Sequence, residues 1–177
     1  SESIIYGNFD KRVRFRLGDI RDFSAVRKAV KGHDLVIHAA ALKQVPSCEL
    51  HPEEALLTNC IGSVNLVKAI EEDGAVRKCV FISTDKAAKP TNSMGITKAL
   101  QEKIFIAANV GNKITKFTGV RYGNVIASRG SVIPVFMDQI RRGKPLTITD
   151  VTMTRFLLTL AQAVETIMVS ILFAEAG

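Results

Sequence analysis

Four consecutive residues, Ser83-Thr84-Asp85-Lys86, carry the densest chemistry in the chain. They follow a short apolar run, and open α/β sheets place their ligands at the C-terminal ends of parallel strands. A hydroxyl, a carboxylate and an amine at one such end can supply a hydrogen-bond donor, a general acid and a general base. A strand-to-loop turn with solvated charges accounts for the same four residues, because Ser, Thr and Asp favour turns. A second pair, Met94 and Lys98, lies about one helical turn apart and so shares a helix face. A core methionine beside a surface lysine is the plainer account of that pair.

Other chemistries find less support. His33, His38 and His51 are dispersed, with no carboxylate or cysteine at metal-ligand spacing, so no metal site is expected. Cys60 falls inside a helical pattern and reads as buried filler, and no Gly-x-Ser-x-Gly elbow occurs. Cys48, Cys60 and Cys79, without any Cys-x-x-Cys, suit reduced thiols in the cytoplasm. The net charge of +7 raises the question of an anionic partner. No basic run with interleaved aromatics appears, so nucleic acid is not expected. Arg141, Arg142 and Lys144 read as cations near a helix C-terminus.

The elements that must position these residues follow from hydrophobic periodicity. Short apolar runs predict strands over 13–17, 35–39, 79–83 and 117–122, each continuous enough to be covered on both faces. Helical patterns fill the intervals over 24–30, 52–72 and 93–109, which is the alternation of βαβ units and a parallel sheet. Pro52 followed by Glu53 and Glu54 marks a helix start. Beyond Tyr122 a helix over 134–142, a short strand over 146–149 and a helix over 157–174 are expected. Gln162 and Glu165 interrupt the last of these, so it reads as an amphipathic core helix and not a membrane span. With 47% apolar residues the chain can bury a sizeable core. No Gly-x-Gly-x-x-Gly turn, which holds a dinucleotide pyrophosphate, is present.

Several motifs resemble the extended short-chain dehydrogenases. Gly18-Asp19-Ile20-Arg21-Asp22 resembles the segment bordering the adenine, and His38-Ala39-Ala40-Ala41-Leu42-Lys43 the strand end along the cofactor. Thr58-Asn59-x-x-Gly62 resembles the helix behind the active site, and Arg121-Tyr122-Gly123-Asn124-Val125 the stretch reaching nicotinamide and sugar. Met94-x-x-x-Lys98 has the spacing of that family's Tyr-x-x-x-Lys pair, with methionine in the tyrosine's place. More specifically, Ala40-Ala41-Leu42-Lys43-Gln44-Val45-Pro46, Ser83 to Ala87, Ser128-Arg129-Gly130-Ser131-Val132 and Met153-Thr154-Arg155-Phe156 are together similar to the UDP-N-acetylglucosamine 4,6-dehydratases of capsule and flagellar-sugar synthesis.

The resemblance implies a Rossmann-type doubly wound α/β sheet. It divides the chain into an NAD(P)-binding domain over 1–130, lacking its first βαβ unit, and the start of a substrate-binding region over 131–177. That omission implies either a fragment or further strands outside the chain. Asp19, Ala40, Thr84 and Tyr122 are expected at strand C-terminal ends along one sheet edge. NADP or NAD is the implied cofactor, with Asp19, Ile20, Ala39, Ala40, Ala41, Lys43, Lys98, Tyr122, Val125 and Arg129 around it. A UDP-sugar is the implied substrate, with Lys43, Asn124, Thr147 and Arg155 in contact. Lys86 is implied as the base at sugar carbon 5, Asp85 as the acid for the leaving hydroxyl, and Thr84 as a hydrogen-bond partner of the 4-hydroxyl. A homo-oligomer and inversion at carbon 5 are further expectations. Two alternatives stand beside this one: a UDP-sugar 4-epimerase, and a non-catalytic dinucleotide-binding protein, which the methionine and the missing turn would suit.

Overall fold

The computed structural model describes residues 12–126 and 132–176. Helix α1 (Phe23–Val30) begins at Asp22, whose carboxylate accepts from the backbone N–H groups of Ser24 and Ala25 at 2.8 and 3.3 Å. Such capping satisfies donors that have no partner within the helix. Strand β1 (Leu35–His38) leads through α2 (Val45–Leu50) into a long rod. The rod comprises α3 (Pro52–Leu56), a π-helical turn (Leu57–Ile61) and α4 (Gly62–Asp73), ending at Gly74 with φ +67°. The single helix expected over 52–72 is therefore interrupted by a π turn, a feature frequent at functional sites.

Strand β2 (Lys78–Thr84) runs into a 3₁₀ turn (Asp85–Ala87) and then α5 (Ser93–Gly111), capped by the Asn92 side chain. Strand β3 (Lys116–Tyr122) completes a parallel sheet in the order β1-β2-β3, with Thr84 opposite Tyr122. A short strand β4 (Asn124–Val125), helix α6 (Val132–Arg141), strand β5 (Leu157–Leu158) and helix α7 (Leu160–Phe173) follow. Strands β4 and β5 form a separate parallel pair.

Helices cover both faces of the three-stranded sheet, as a doubly wound α/β fold requires. On one face Phe81 of β2 stacks on Phe105 of α5, ring centroids 4.6 Å apart, and Phe117 of β3 completes the cluster. Val26 and Val30 of α1 and Leu66, Ala69 and Ile70 of α4 extend that core. On the other face α7 is joined to the sheet through polar groups. Lys78 Nζ donates to the carbonyls of Ile171 and Ala174 at 2.9 and 2.7 Å, and the hydroxyls of Thr118 and Ser170 lie 3.2 Å apart.

Three expected elements differ. Residues 13–17 form no strand among the described residues. Val13 and Phe15 are about half exposed and Leu17 wholly so, and Arg16 Nη1 donates instead to the Lys28 carbonyl at 2.6 Å. An apolar run suits a covered strand, but a strand also needs a ladder partner. Residues 146–149 likewise form no strand. Thr147 is tied back to α6, its hydroxyl accepting from Gln139 Nε2 at 2.9 Å. The helix expected from residue 157 starts at Leu160, because Thr159 and Gln162 make a reciprocal capping box that leaves Leu157 and Leu158 to pair with β4. Of its residues only Ala163 and Ser170 are buried, so α7 is not the core helix its composition suggests.

Candidate active site

The C-terminal ends of β1, β2 and β3 bring Ala40, Thr84 and Tyr122 to one sheet edge, as expected. Asp19 is the exception, since it precedes α1 and closes no strand. At the end of β2, Thr84 Oγ1 donates to Asp85 Oδ1 at 2.8 Å and accepts from the Lys86 backbone N–H at 3.4 Å. Lys86 Nζ lies 3.2 Å from Asp85 Oδ1 and 3.1 Å from Asn124 Oδ1. Four side chains from two segments thus converge: Thr84, Asp85 and Lys86 after β2, and Asn124 in β4. Burial raises the Asp85 pKa, but the hydrogen bonds from Thr84 and Lys86 and the lysine charge outweigh it, so the carboxyl sits below its ordinary value. The first turn of α5 presses on this loop. A Cβ at Gly95 would stand 2.7 Å from the Lys86 carbonyl oxygen, so the close approach requires glycine.

Behind this half-exposed group lies a buried polar network. Lys98 is 6% exposed, and its Nζ donates to the Ile82 carbonyl at 2.6 Å and to Gln101 Oε1. Burial lowers the Lys98 pKa to about 8, against the pull of Glu102 and Cys60. It is no surface lysine, whereas Met94 is the core residue its chemistry suggests, packed with Cys48, Ala55 and Val45. Glu102 accepts from Ser83 Oγ and from both Nε and Nη2 of Arg121, at 2.8 and 2.5 Å for the latter two. Burial pushes the Glu102 pKa up, but Arg121 and Ser83 prevail and hold it below normal. Gln101 Nε2 reaches His38 Nε2 at 2.9 Å and Ser63 Oγ at 2.8 Å, and burial drops the His38 pKa to about 4, aided by the Lys98 charge.

Asn59, in the π turn, fastens the loop after β1. Its Oδ1 accepts from the Leu42 N–H at 2.8 Å, and its Nδ2 donates to the Leu42 carbonyl and to Thr97 Oγ1, both at 3.0 Å. Three residues on, Gly62 lets the Ile20 segment approach, since a Cβ there would lie 2.8 Å from the Ile20 side chain. Gln101 and Glu102 were absent from the expected site residues, and Asn59 was expected only within the Thr58-Asn59-x-x-Gly62 motif of the helix behind the site. Gln101 and Glu102 stand three and four positions after Lys98, on its helix face, which was the available signal.

The remaining expected residues divide by place. Ala39 and Ala40 are exposed and Ala41 half-buried after β1, with Lys43 exposed on the same loop. Asp19 is bound to Arg21, whose hydrogen bonds lower its pKa to about 2, and Arg21 also bridges to Glu54 at 2.6 Å. The Ile20 carbonyl accepts from Asn65 Nδ2 at 3.2 Å. Tyr122 and Val125 are half-buried, and burial raises the Tyr122 pKa, which makes it a poor phenolate to stand in for Met94. Thr147 is held by Gln139, and Arg155 bonds only within its own segment, to the Thr154 carbonyl and Met153 Sδ, in the hydrogen bonds observed. Residue 156 nevertheless joins the site's backbone, because its carbonyl accepts from the Asn124 N–H at 2.9 Å. Arg129 lies outside the described residues. Cys48, Cys60 and Cys79 are free and buried. Among the described residues no group of three or more His, Cys, Asp or Glu is placed to hold a metal, and no helix is long and apolar enough to cross a membrane.

The sequence model of the polysaccharide biosynthesis protein family matches residues 3–177. The chain belongs to that family. A relative in Rickettsia bellii named UDP-glucose 4-epimerase is 47% identical over 94% of this chain and 49% of its own length. The X-ray structure of Pen from Bacillus thuringiensis is 43% identical, with a TM-score of 0.90 over 95% of this chain and 52% of that one. The dTDP-glucose 4,6-dehydratase DesIV of Streptomyces venezuelae, solved with NAD and TYD bound, shares the fold at 22% identity, with a TM-score of 0.86 over 95% of this chain and 57% of that one. This member of the polysaccharide biosynthesis family therefore spans about half the length of the relatives it matches.

Proposed function

We propose that this chain is part of a UDP-N-acetylglucosamine 4,6-dehydratase that inverts carbon 5. The reading rests on one observation: Thr84, Asp85 and Lys86 stand together at a strand C-terminal end, with Lys86 bridged to Asn124. An acid and a base side by side suit an elimination, which must remove a proton from one carbon and a hydroxyl from its neighbour. The residues present suit a flat dinucleotide beside them. Ala39 and Ala40 offer exposed backbone without bulky side chains, and Asn59 holds the following loop in place.

Bound there, oxidised NADP or NAD would accept hydride from sugar carbon 4 and later return it at carbon 6. Thr84 Oγ1 hydrogen-bonds the 4-hydroxyl and relays its proton to Asp85 Oδ1, to which it already donates, as the hydride leaves carbon 4. Once carbon 4 is a ketone, its neighbouring carbon-5 proton is acidified, and neutral Lys86 Nζ takes that proton. Asp85, protonated in that first step, gives its proton to the 6-hydroxyl, which leaves as water, and carbon 5 takes a solvent-derived proton on its opposite face as hydride arrives at carbon 6. Asp85 sits below its ordinary pKa in the free protein, so the sugar has to displace Lys86 and desolvate the carboxyl before that step. Lys98 serves the nicotinamide ribose from the buried side. Asn124 holds Lys86 until substrate enters, and Lys43, Thr147 and Arg155 contact the nucleotide or sugar.

The test uses the full-length protein with UDP-N-acetylglucosamine and cofactor in deuterated water. Deuterium at carbon 5 and loss of one water are expected, and Lys86→Ala should lower both by about 10²–10⁴-fold. A UDP-sugar 4-epimerase is the second reading, favoured by the name of the Rickettsia relative. Conversion to UDP-N-acetylgalactosamine without solvent deuterium, or near-normal turnover by Lys86→Ala, would replace the first reading with the second.

A further inference from the structure

Lys98 is surrounded from four sides. Glu102 lies on its own helix, Cys60 on the π turn, His38 on β1 and the Ile82 carbonyl on β2. Within that shell Gln101 touches both Lys98 and His38. A lysine ammonium only donates, so the Gln101 amide must turn its oxygen to Lys98 and its nitrogen to His38. That nitrogen also only donates. His38 Nε2 must then be the bare, accepting nitrogen, with the ring proton on Nδ1. Ser63 Oγ accepts the second Gln101 N–H and donates to the nearer Asn59 carbonyl at 2.7 Å, and it also lies 3.4 Å from His38 Nε2, where it too meets an accepting nitrogen.

We propose that Gln101, oriented by neutral His38, is a positioning residue that holds Lys98 and sets its charge. The proposal rests on Lys98 serving the dinucleotide as described above. Gln101 touches no reacting atom in this role; it acts through Lys98. His38 is suited to the task because burial keeps it neutral, with its pKa near 4, so its accepting nitrogen persists across the neutral range. Were His38 to gain a proton, both ring nitrogens would donate and the amide would have to turn its oxygen away from Lys98. The buried ammonium would then lose an acceptor and face an N–H.

Two measurements on the full-length protein test this. Nitrogen-15 NMR of the histidine rings reads the tautomer without reference to activity. His38 is expected as the Nδ1–H tautomer from pH 6 to 8 and should switch to Nε2–H in Gln101→Glu, where a carboxylate takes the place of the amide N–H. A protonated or Nε2–H His38 in the unsubstituted protein overturns the proposal. The second measurement is the pH profile of the sugar-oxidation step, in single turnovers with cofactor. Gln101→Glu should move the limb belonging to Lys98 up by about one pH unit or more, and Gln101→Met should move it down, with kcat reduced about tenfold and KM little changed. Profiles that overlay that of the unsubstituted protein, in variants whose circular dichroism is unaltered, overturn the proposal. Lys98→Met separates this failure from that of the site itself. If Lys98→Met leaves dinucleotide affinity and sugar oxidation unchanged, Lys98 serves no dinucleotide and the functional half of the proposal falls, while the tautomer result judges the geometry alone.

Discussion

Two lysines twelve residues apart occupy opposite environments, and the contrast explains how one strand end can host two kinds of chemistry. Lys86 is about one-third exposed and meets Asp85 and Asn124, partners that a substrate can displace. Lys98 is almost fully enclosed, with the Ile82 carbonyl, Gln101 and the nearby Glu102 around its ammonium. The buried lysine has its pKa brought down to about 8 by the fold itself. The outer pair remains adjustable, because water still screens it. The difference teaches that the fold builds in the properties of the inner lysine, while those of the outer one depend on what binds.

Removing each charge and following stability with pH separates the two lysines most strongly. Lys98 has a folded pKa of about 8 against an ordinary 10.5. Between those values the unfolded chain binds more protons, so stability rises with pH through that window and the burial penalty is fully present below it. Lys98→Met should therefore be favoured over the unsubstituted protein most at neutral pH. That advantage should shrink by roughly 2–3 kcal/mol between pH 7 and pH 10, measured by urea unfolding. The hydrogen bonds lost with Lys98 lower the whole difference without altering this slope. Lys86→Met should move stability by no more than about 0.5 kcal/mol at neutral pH. Equal slopes for the two variants would remove the contrast.

His38 sharpens the same point from the acid side. Its pKa is lowered from 6.5 to about 4 by burial, so the unfolded chain binds more protons between those values and stability falls as the pH drops through them. The loss should reach roughly 1.5–2 kcal/mol between pH 6.5 and pH 5. His38→Gln should flatten that segment of the curve, and an unaltered acid profile would mean that His38 is not held neutral. A smaller effect is expected at the start of the helix that carries Lys98. Asn92→Ala removes the side-chain acceptor of the Gly95 N–H, at 2.8 Å, and should cost about 1 kcal/mol. If Asn92→Ala also moved the Lys98 titration by a full pH unit, the inner site would be less rigid than the comparison requires.

Much of the scaffold was legible in the residues. The strand around 79–83 read correctly because a strand covered on both faces is nearly apolar throughout, and that over 117–122 because its β-branched and aromatic residues suit a pleated surface. Pro52 with Glu53 and Glu54 announces its helix, because proline lacks the N–H that the first turn leaves without a partner and carboxylates suit the positive end of the helix dipole. The segment over 13–17 misled because its apolar residues were taken for a strand covered on both faces, and a strand is a relation between two segments. The start of α7 was misplaced although Thr159-x-x-Gln162 was present, since the apolar run over Leu157 and Leu158 masked the cap.

The sequence by itself determined the βα alternation around 35–39, 79–83 and 117–122 and the grouping of Thr84, Asp85 and Lys86, because periodicity and adjacency are written along the chain. It could not show that Lys98 is buried, since a lysine at a given helical position is solvated or enclosed according to what packs over it. Nor could it join His38 to Gln101, or Asn59 to Leu42, across separations of 63 and 17 residues. Those contacts exist only once β1, the π turn and α5 are packed together. The same packing withholds water from Lys98 and His38, so their proton affinities belong to the tertiary structure and not to the side chains alone.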